Sequence, residues 1–216
     1  MRTTEANTMR ELAEARLSLY RFLLAALSKP TPEQHAWLRG PEFRRALEVA
    51  AERFGLPGAV GEVAPDEYAD YESRYIACFE VGLPAPPVAL LASNYNRREP
   101  VPAVIHEHVL FYKRFGLRLP EGDIEPADHL LNELTFLIHL DELLRAGRTD
   151  AEWILLARRD FLQRQVARWV PRAAAEADEK RLPAVYCQLL ALLAHAVQHD
   201  LELTRDAVPS PAEDTP

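Results

Sequence analysis

The chain has 216 residues, of which 48% are apolar and 27% charged, a balance typical of a folded globular protein with a sizeable core. The net charge of −8 and the pI of about 5.4 argue against a nucleic-acid partner, and no basic patch with interleaved aromatic residues reverses this. No apolar run approaches the roughly 18 residues that cross a bilayer, and Cys78 and Cys187 lie within apolar helical patterns. We therefore expect a cytosolic protein with reduced thiols and no stable membrane insertion.

Apolar residues recur with helical spacing along most of the chain, and Pro or Gly residues separate the repeats. In chain order, the predicted helices occupy residues 9–28, 41–54, from 65 onward, 106–115, 126–146, from 149 to an interruption at Pro171, and 183–203. The proline-rich residues 82–102 are the longest region without a predicted helix. The expected fold class is all-α, a single compact multi-helix bundle over residues 1–204 with a disordered acidic, proline-containing tail at 205–216.

Glu125–Leu134 is the most informative stretch of the sequence. Pro126 is suited to the first turn of a helix, and the acidic residues around it favour a helix N-terminus. At 100° per residue, one polar stripe forms from Asp128, Asn132, Thr135, His139 and Glu142. His129 and Glu133 fall in the apolar sector of the same helix, where a titratable group must be paired. Their i,i+4 spacing predicts that they pair with each other.

Two further features each have a structural and a functional interpretation. The carboxylates of Glu121, Asp123, Glu125 and Asp128 form either a solvated loop at a helix start or an acidic opening that receives a basic segment. An aromatic stripe at helical spacing is either core or the wall of a ligand site, and it consists of Tyr68, Tyr71, Tyr75 and Phe79.

The common catalytic motifs are missing from the sequence. It contains no Gly-rich phosphate loop, nucleophile elbow, HExxH motif or Glu-x-x-His pair. His195 and His199 have a spacing that can hold a metal, but they share a polar helix face with Gln188, which favours solvated side chains. An alternative hypothesis is a helical metal- or nucleotide-dependent enzyme that uses His129, Glu133, His195 and His199.

The motif Glu125-Pro126-x-Asp128-His129-Leu130-x-x-Glu133-Leu134-x-Phe136 resembles the signature of the TorD/DmsD/NarJ-like family of redox-enzyme maturation chaperones. Other family-like elements occur in the same order over about residues 10–203, including Tyr71-Glu72-x-x-Tyr75 and Phe111-Tyr112-x-x-Phe115-Gly116. Phe79-Glu80-Val81-Gly82-Leu83-Pro84 is similar to the branch that serves type II enzymes of the dimethyl-sulfoxide-reductase family.

The resemblance implies a non-catalytic chaperone without a metal or cofactor of its own. Its partner would be a molybdoenzyme catalytic subunit, whose twin-arginine signal peptide it binds while the molybdenum cofactor is inserted, delaying export until folding is complete. Asp128 and His129 are the positions that the family motif associates with signal-peptide recognition, with Tyr75 and Phe79 as apolar neighbours.

The helical projection divides this motif between two roles. Asp128, together with Asn132 and the nearby Glu125, is predicted to contact the partner. His129 and Glu133 are predicted to fasten the helix that presents it, with Tyr71 as a further structural residue. We expect either a monomer or a dimer that exchanges helices through the long 82–102 and 116–125 connections.

Overall fold

A computed structural model describes residues 2–53, 63–65, 67–96, 98–119, 125–147 and 151–207. In these ranges the chain is helical and forms no strand, which confirms the all-α class. The helices are α1 (Arg2–Leu27), α2 (Pro32–Arg39), α3 (Pro41–Arg53), α4 (Tyr68–Phe79), α5 (Ala92–Tyr95), α6 (Val101–Arg114), α7 (Leu130–Arg145), α8 (Ala151–Phe161), a π-helical turn (Leu162–Val166), α9 (Ala167–Glu179) and α10 (Ala184–Ala207).

Helix α7 lies at the centre of the bundle because most of its side chains are apolar. It packs along α1 and against α8, while α10 packs along α9 and also contacts α1. Leu130, Leu134, Phe136, Leu137 and Leu140 are completely buried. Each such side chain contributes about 1.5–3 kcal/mol through removal from water. This burial fixes the position of the residues that precede α7.

A buried ion network joins four helices within this core. Arg16 of α1 donates to Asp141 of α7 at 2.8 Å, and Arg158 of α8 contacts both Asp141 and Asp200 of α10. The Tyr20 hydroxyl donates to Asp200 at 2.9 Å. Nearby carboxylates overcome the effect of burial and raise the pKa of Arg158, so it stays charged. No local sequence pattern indicates this network, because its members are up to 184 residues apart in sequence (Arg16 to Asp200).

Several predicted boundaries are wrong. Helix α1 begins at Arg2, before the predicted start at residue 9. Helix α2 was missed, although Thr31 caps it by accepting the Gln34 N–H at 3.1 Å. Pro171 does not interrupt its helix, since α9 continues to Glu179. The π-helical turn just upstream already departs from the i→i−4 pattern that a proline disrupts.

The predicted helix ends at Gly116 and Gly147 are confirmed by the backbone, which has φ of +75° and +70° at these glycines. The predicted helix end at residue 54 and the predicted helix start at residue 149 lie outside the described residues. Helix α10 extends to Ala207, three residues into the predicted tail, and residues 208–216 are also outside the described ranges. None of the helices in the described ranges is long and apolar enough to cross a membrane.

Candidate functional site

A cleft of about 310 Å³ lies where the second half of α4 meets the segment before α5 and the residues that lead into α7. We call it the α4–α7 cleft. Its lining combines an apolar floor with a charged rim and consists of Lys29, Tyr75, Phe79, Glu80, Pro86, Ala89, Leu90, Leu91, Asn94, Glu125 and His129. It therefore brings together four of the six predicted binding residues, namely Glu125, His129, Tyr75 and Phe79.

Backbone hydrogen bonds fasten the segment before α5 to the start of α7. The Leu130 N–H donates to the Leu90 carbonyl at 2.9 Å, and the Ala92 N–H donates to the Asp128 carbonyl at 3.0 Å. These bonds flank an antiparallel bridge between Leu91 and His129. Two segments far apart in sequence thus form one wall of the cleft.

Asp128 is completely buried, so the prediction that its side chain is exposed on a polar helix stripe is wrong. The helix begins two residues later, at Leu130, and the projection therefore does not apply to Asp128. One carboxylate oxygen, Oδ2, accepts the Ser93 N–H at 2.9 Å, while Oδ1 has no hydrogen-bond partner among the described residues. Asp128 therefore positions the wall of the cleft and does not line its surface.

His129 is the N-cap of α7, whereas the sequence had predicted a start at Pro126. Its Nδ1 accepts the Leu131 N–H at 3.2 Å, which leaves the proton of a neutral ring on Nε2. That nitrogen lies 3.7 Å from a carboxylate oxygen of Glu125. Burial lowers the pKa of His129, although the carboxylates of Glu125 and Asp128 act in the opposite direction. A neutral imidazole N–H therefore faces Glu125.

Glu125 and Glu80 give the rim of the cleft its negative charge. The ammonium group of Lys29 lies 2.7 Å from Glu125 and 3.8 Å from Glu80, and its side chain is 61% exposed. Asn132 is half-buried and donates to the backbone carbonyls of Glu125 at 2.9 Å and Pro126 at 2.8 Å. Asn132 thus holds the loop that carries Glu125 and does not line the cleft.

Tyr75 and Phe79 form the floor, with ring centroids 5.1 Å apart in an edge-to-face arrangement. The Tyr75 hydroxyl donates to the Leu27 carbonyl at 3.1 Å, and burial raises its pKa, so it remains neutral. Tyr71 lies outside the cleft lining and donates to Gln34 at 3.3 Å. Burial raises the pKa of Tyr71 to about 12. The aromatic stripe is therefore core on one part of α4 and cleft floor on another.

Glu133 is completely buried away from the cleft and does not pair with His129, contrary to the prediction. The Glu133 N–H donates to the His129 carbonyl at 3.1 Å, but His129 is the N-cap and has an extended backbone, so its side chain does not follow the helical register. Instead, Glu133 accepts from His108 of α6 at 2.8 Å and from the Trp169 indole N–H at 3.0 Å. Burial alone would lower the pKa of His108, but the hydrogen bond and charge of Glu133 outweigh it and raise that pKa. Burial also raises the pKa of Glu133, although the hydrogen bond and charge of His108 act in the opposite direction.

The remaining candidate residues do not join the cleft. His195 is exposed and His199 half-buried on α10, and Glu121 and Asp123 lie outside the described residues. Within the described ranges, no group of three His, Cys, Asp or Glu side chains is arranged to hold a metal ion. Cys78 is buried, Cys187 is half-buried, and both are free thiols.

An all-helical bundle with an acidic-rimmed, apolar-floored cleft is suited to binding a basic and apolar chain segment. The family model of the nitrate reductase delta subunit matches residues 40–175, and the chain belongs to this family. The relatives described next are assembly chaperones, so the chain is a redox-enzyme maturation chaperone and not an enzyme, as the sequence motif predicted.

Three relatives show how far this similarity extends. The perchlorate reductase assembly chaperone protein of Dechloromonas aromatica (strain RCB) is 30% identical over 208 residues, covering 87% of this chain and 89% of that protein. The dimethyl sulfide dehydrogenase assembly chaperone protein of Rhodovulum sulfidophilum is 33% identical over 167 residues, covering 72% of this chain and 67% of that protein. The selenate reductase assembly chaperone protein of Thauera selenatis is 38% identical over 104 residues, covering 46% of this chain and 53% of that protein.

Proposed function

We propose that this chaperone binds the twin-arginine signal peptide of a molybdoenzyme catalytic subunit in the α4–α7 cleft. The observation that carries the proposal is the combination of Glu80 and Glu125 on the rim with an apolar floor that contains Phe79. A twin-arginine signal has a basic segment followed by an apolar one, so its two parts match the two surfaces of the cleft.

The charged rim favours arginine over lysine in a partner. Lys29 bridges Glu80 and Glu125 as a single, largely exposed ammonium group. An incoming guanidinium can bind a carboxylate through two parallel hydrogen bonds, which an ammonium cannot match in geometry. A pair of arginines can therefore displace the Lys29 side chain into water and take both carboxylates. Asn132, which donates to the Glu125 carbonyl at 2.9 Å, holds the loop that carries Glu125 during this exchange.

The apolar part of the signal peptide follows the floor and the adjoining surface. Phe79, Ala89 and Leu90 are buried or nearly so at the base of the cleft. Just beyond α4, Val81 is 63% exposed and Leu83 is fully exposed. Large apolar side chains exposed together beside a cleft are typical of surfaces that bind an apolar partner.

The client is a catalytic subunit of the kind served by the named relatives, which are chaperones of a perchlorate reductase, a dimethyl sulfide dehydrogenase and a selenate reductase. We propose that the chaperone holds the apo-form of such a subunit in the cytoplasm. Occupation of the signal peptide would delay export until the molybdenum cofactor has been inserted and the subunit has folded.

The test is isothermal titration calorimetry with a synthetic peptide that carries a twin-arginine segment followed by an apolar one. The matched control peptide has both arginines replaced by lysines, which keeps the charge and removes the bidentate geometry. We expect the arginine peptide to bind at least about tenfold more tightly, a difference of about 1.4 kcal/mol. Glu125→Gln should abolish most of that preference. Equal affinity of the two peptides, or an unchanged preference in Glu125→Gln, would contradict the proposal.

A further inference from the structure

A second cleft, of about 280 Å³, lies between α5, the segment that leads into α6, the π-helical turn and α9. We call it the arginine cleft. Arg98, Arg164, Arg168 and Arg172 contribute to its lining, and no carboxylate does. This is unexpected in a chain whose net charge is −8. The arginine cleft shares no lining residue with the α4–α7 cleft.

Three of these arginines follow one another at intervals of four residues and so project from one side of the π-helical turn and α9. Like charges at this spacing repel each other. Arg164 is neutralised by an ion pair with Glu107. Arg172 donates to the Tyr95 carbonyl at 2.6 Å and lies over the Tyr95 ring, neither of which cancels its charge.

The positive charge of the cleft is therefore largely uncompensated by the protein. Arg168 contacts the backbone carbonyl of Arg164 at 3.4 Å. In the part of the chain that the structure describes, Arg164 alone of the four has a carboxylate partner. An anion bound between Arg98, Arg168 and Arg172 would relieve the repulsion that the i,i+4 spacing imposes.

A buried amide in the same cleft also lacks an acceptor. Gln165 lies in the π-helical turn, is only 5% exposed and contributes to the lining of the cleft. Its Nε2 is shielded from solvent and has no hydrogen-bond partner among the described residues, so a rotation of the side chain would bring it to an acceptor bound in the cleft. Leaving a buried N–H donor unpaired is unfavourable, so such a group marks a place where an acceptor belongs. A π-helical turn changes the direction of side chains within a helix and is frequent at functional sites.

We propose that the arginine cleft binds a small molecule through a phosphate group. The guanidinium groups and the Gln165 amide offer more N–H donors than a single carboxylate can accept, whereas a phosphate monoester presents three oxygens and about two charges. The volume exceeds what a phosphate group alone needs and is close to the lower end for small-molecule sites. Ala92, Val104 and the buried Trp169 give the rest of the ligand an apolar surface.

The experiment measures binding of glycerol phosphate to the full chain by calorimetry, with acetate at equal ionic strength as the carboxylate probe. We expect saturable binding of glycerol phosphate and none of acetate in the same concentration range. Arg168→Gln and Gln165→Leu should each weaken binding at least about tenfold, while Arg118→Gln, an exposed arginine outside the cleft, should leave it unchanged. Gln165→Leu should also raise the melting temperature of the ligand-free protein, because it removes a buried amide that lacks an acceptor.

Absence of glycerol phosphate binding, equal binding of acetate, or the same loss in Arg118→Gln as in Arg168→Gln would overturn the proposal. The twin-arginine peptide is titrated into the same variants. Unchanged peptide binding in Arg168→Gln separates the two clefts, so failure of one proposal does not imply failure of the other.

Discussion

Removal of the Glu133 side chain should destabilise the bundle strongly while leaving the shape of the α4–α7 cleft intact. Glu133 is completely buried and joins α7 to α6 through His108 and to α9 through Trp169. Glu133→Ala leaves the indole N–H and the imidazole N–H without an acceptor, and each unpaired buried donor costs about 1–3 kcal/mol. In total we expect a loss of about 3–5 kcal/mol, which is the size typical for removal of one partner of a buried charged pair. This is a large fraction of the roughly 5–15 kcal/mol that stabilises a domain.

The matched variant is Glu133→Gln, which keeps the shape and one acceptor for Trp169 but removes the charge that faces His108. We expect a loss of about 1–2 kcal/mol for this variant, since one charge-assisted hydrogen bond is weakened. Urea denaturation followed by circular dichroism gives both free energies of unfolding. A loss below about 1 kcal/mol for Glu133→Ala would refute the structural role. Normal stability of Glu133→Gln combined with lost peptide binding would instead place Glu133 in recognition.

Three further outcomes follow from the same contacts. Lys29→Gln should tighten binding of the twin-arginine peptide several-fold, because it removes the cation that occupies Glu80 and Glu125; weaker binding in the same calorimetric titration would contradict this. Burial acts to lower the pKa of His108, but Glu133 outweighs this effect and raises it. At a pH above the unfolded pKa of about 6.5, folding is therefore coupled to the uptake of a proton by His108. The free energy of unfolding should therefore fall as the pH rises above about 6.5, by up to about 1.4 kcal/mol per pH unit. An undiminished slope in urea titrations of His108→Gln would be evidence against this role of His108. Asp128→Asn retains an acceptor for the Ser93 N–H and should keep the peptide affinity within about threefold of the original. Asp128→Lys places a charge in a buried position and should lower the melting temperature and the peptide affinity together. A loss of affinity in Asp128→Asn at an unchanged melting temperature would indicate that Asp128 contacts the peptide directly.

Much of the fold could be predicted from the sequence because helices are encoded locally. Helical periodicity and terminal glycines identified most helices, and the positive φ angles of Gly116 and Gly147 have the cause that the sequence indicated. Helix α2 also has a local signal, Thr31 followed by Pro32 and Gln34, although it is absent from the predicted helices. Local chemistry is thus sufficient for the fold class and for most of the helices, but not for the residue at which each helix begins.

The site was only partly predictable, since its contacts are long-range. Placing the helix start at Pro126 put Asp128 on an exposed stripe and His129 opposite Glu133, and both consequences were wrong. The actual partners of Glu133 are 25 and 36 residues away, on other helices. The sequence nevertheless indicated an acidic and aromatic site near Glu125, because both residue types are concentrated in short, separate motifs.

The uncompensated charge of the arginine cleft could not be predicted from the sequence either. Arg164, Arg168 and Arg172 have the spacing of an ordinary solvated helix face. Only the approach of Arg98 from the segment before α6, together with burial of Gln165, distinguishes a cleft from such a face.

The most direct test of the central claim is site-specific photo-cross-linking of the twin-arginine peptide. A photoreactive residue replaces Asn94, which is exposed on the rim of the α4–α7 cleft. The control position is Val49, which is 63% exposed in a separate apolar groove between α1 and α3. We predict cross-links at position 94 that an excess of unlabelled arginine peptide prevents and an excess of the lysine peptide does not. Cross-linking at position 49 without any at position 94 would contradict the account.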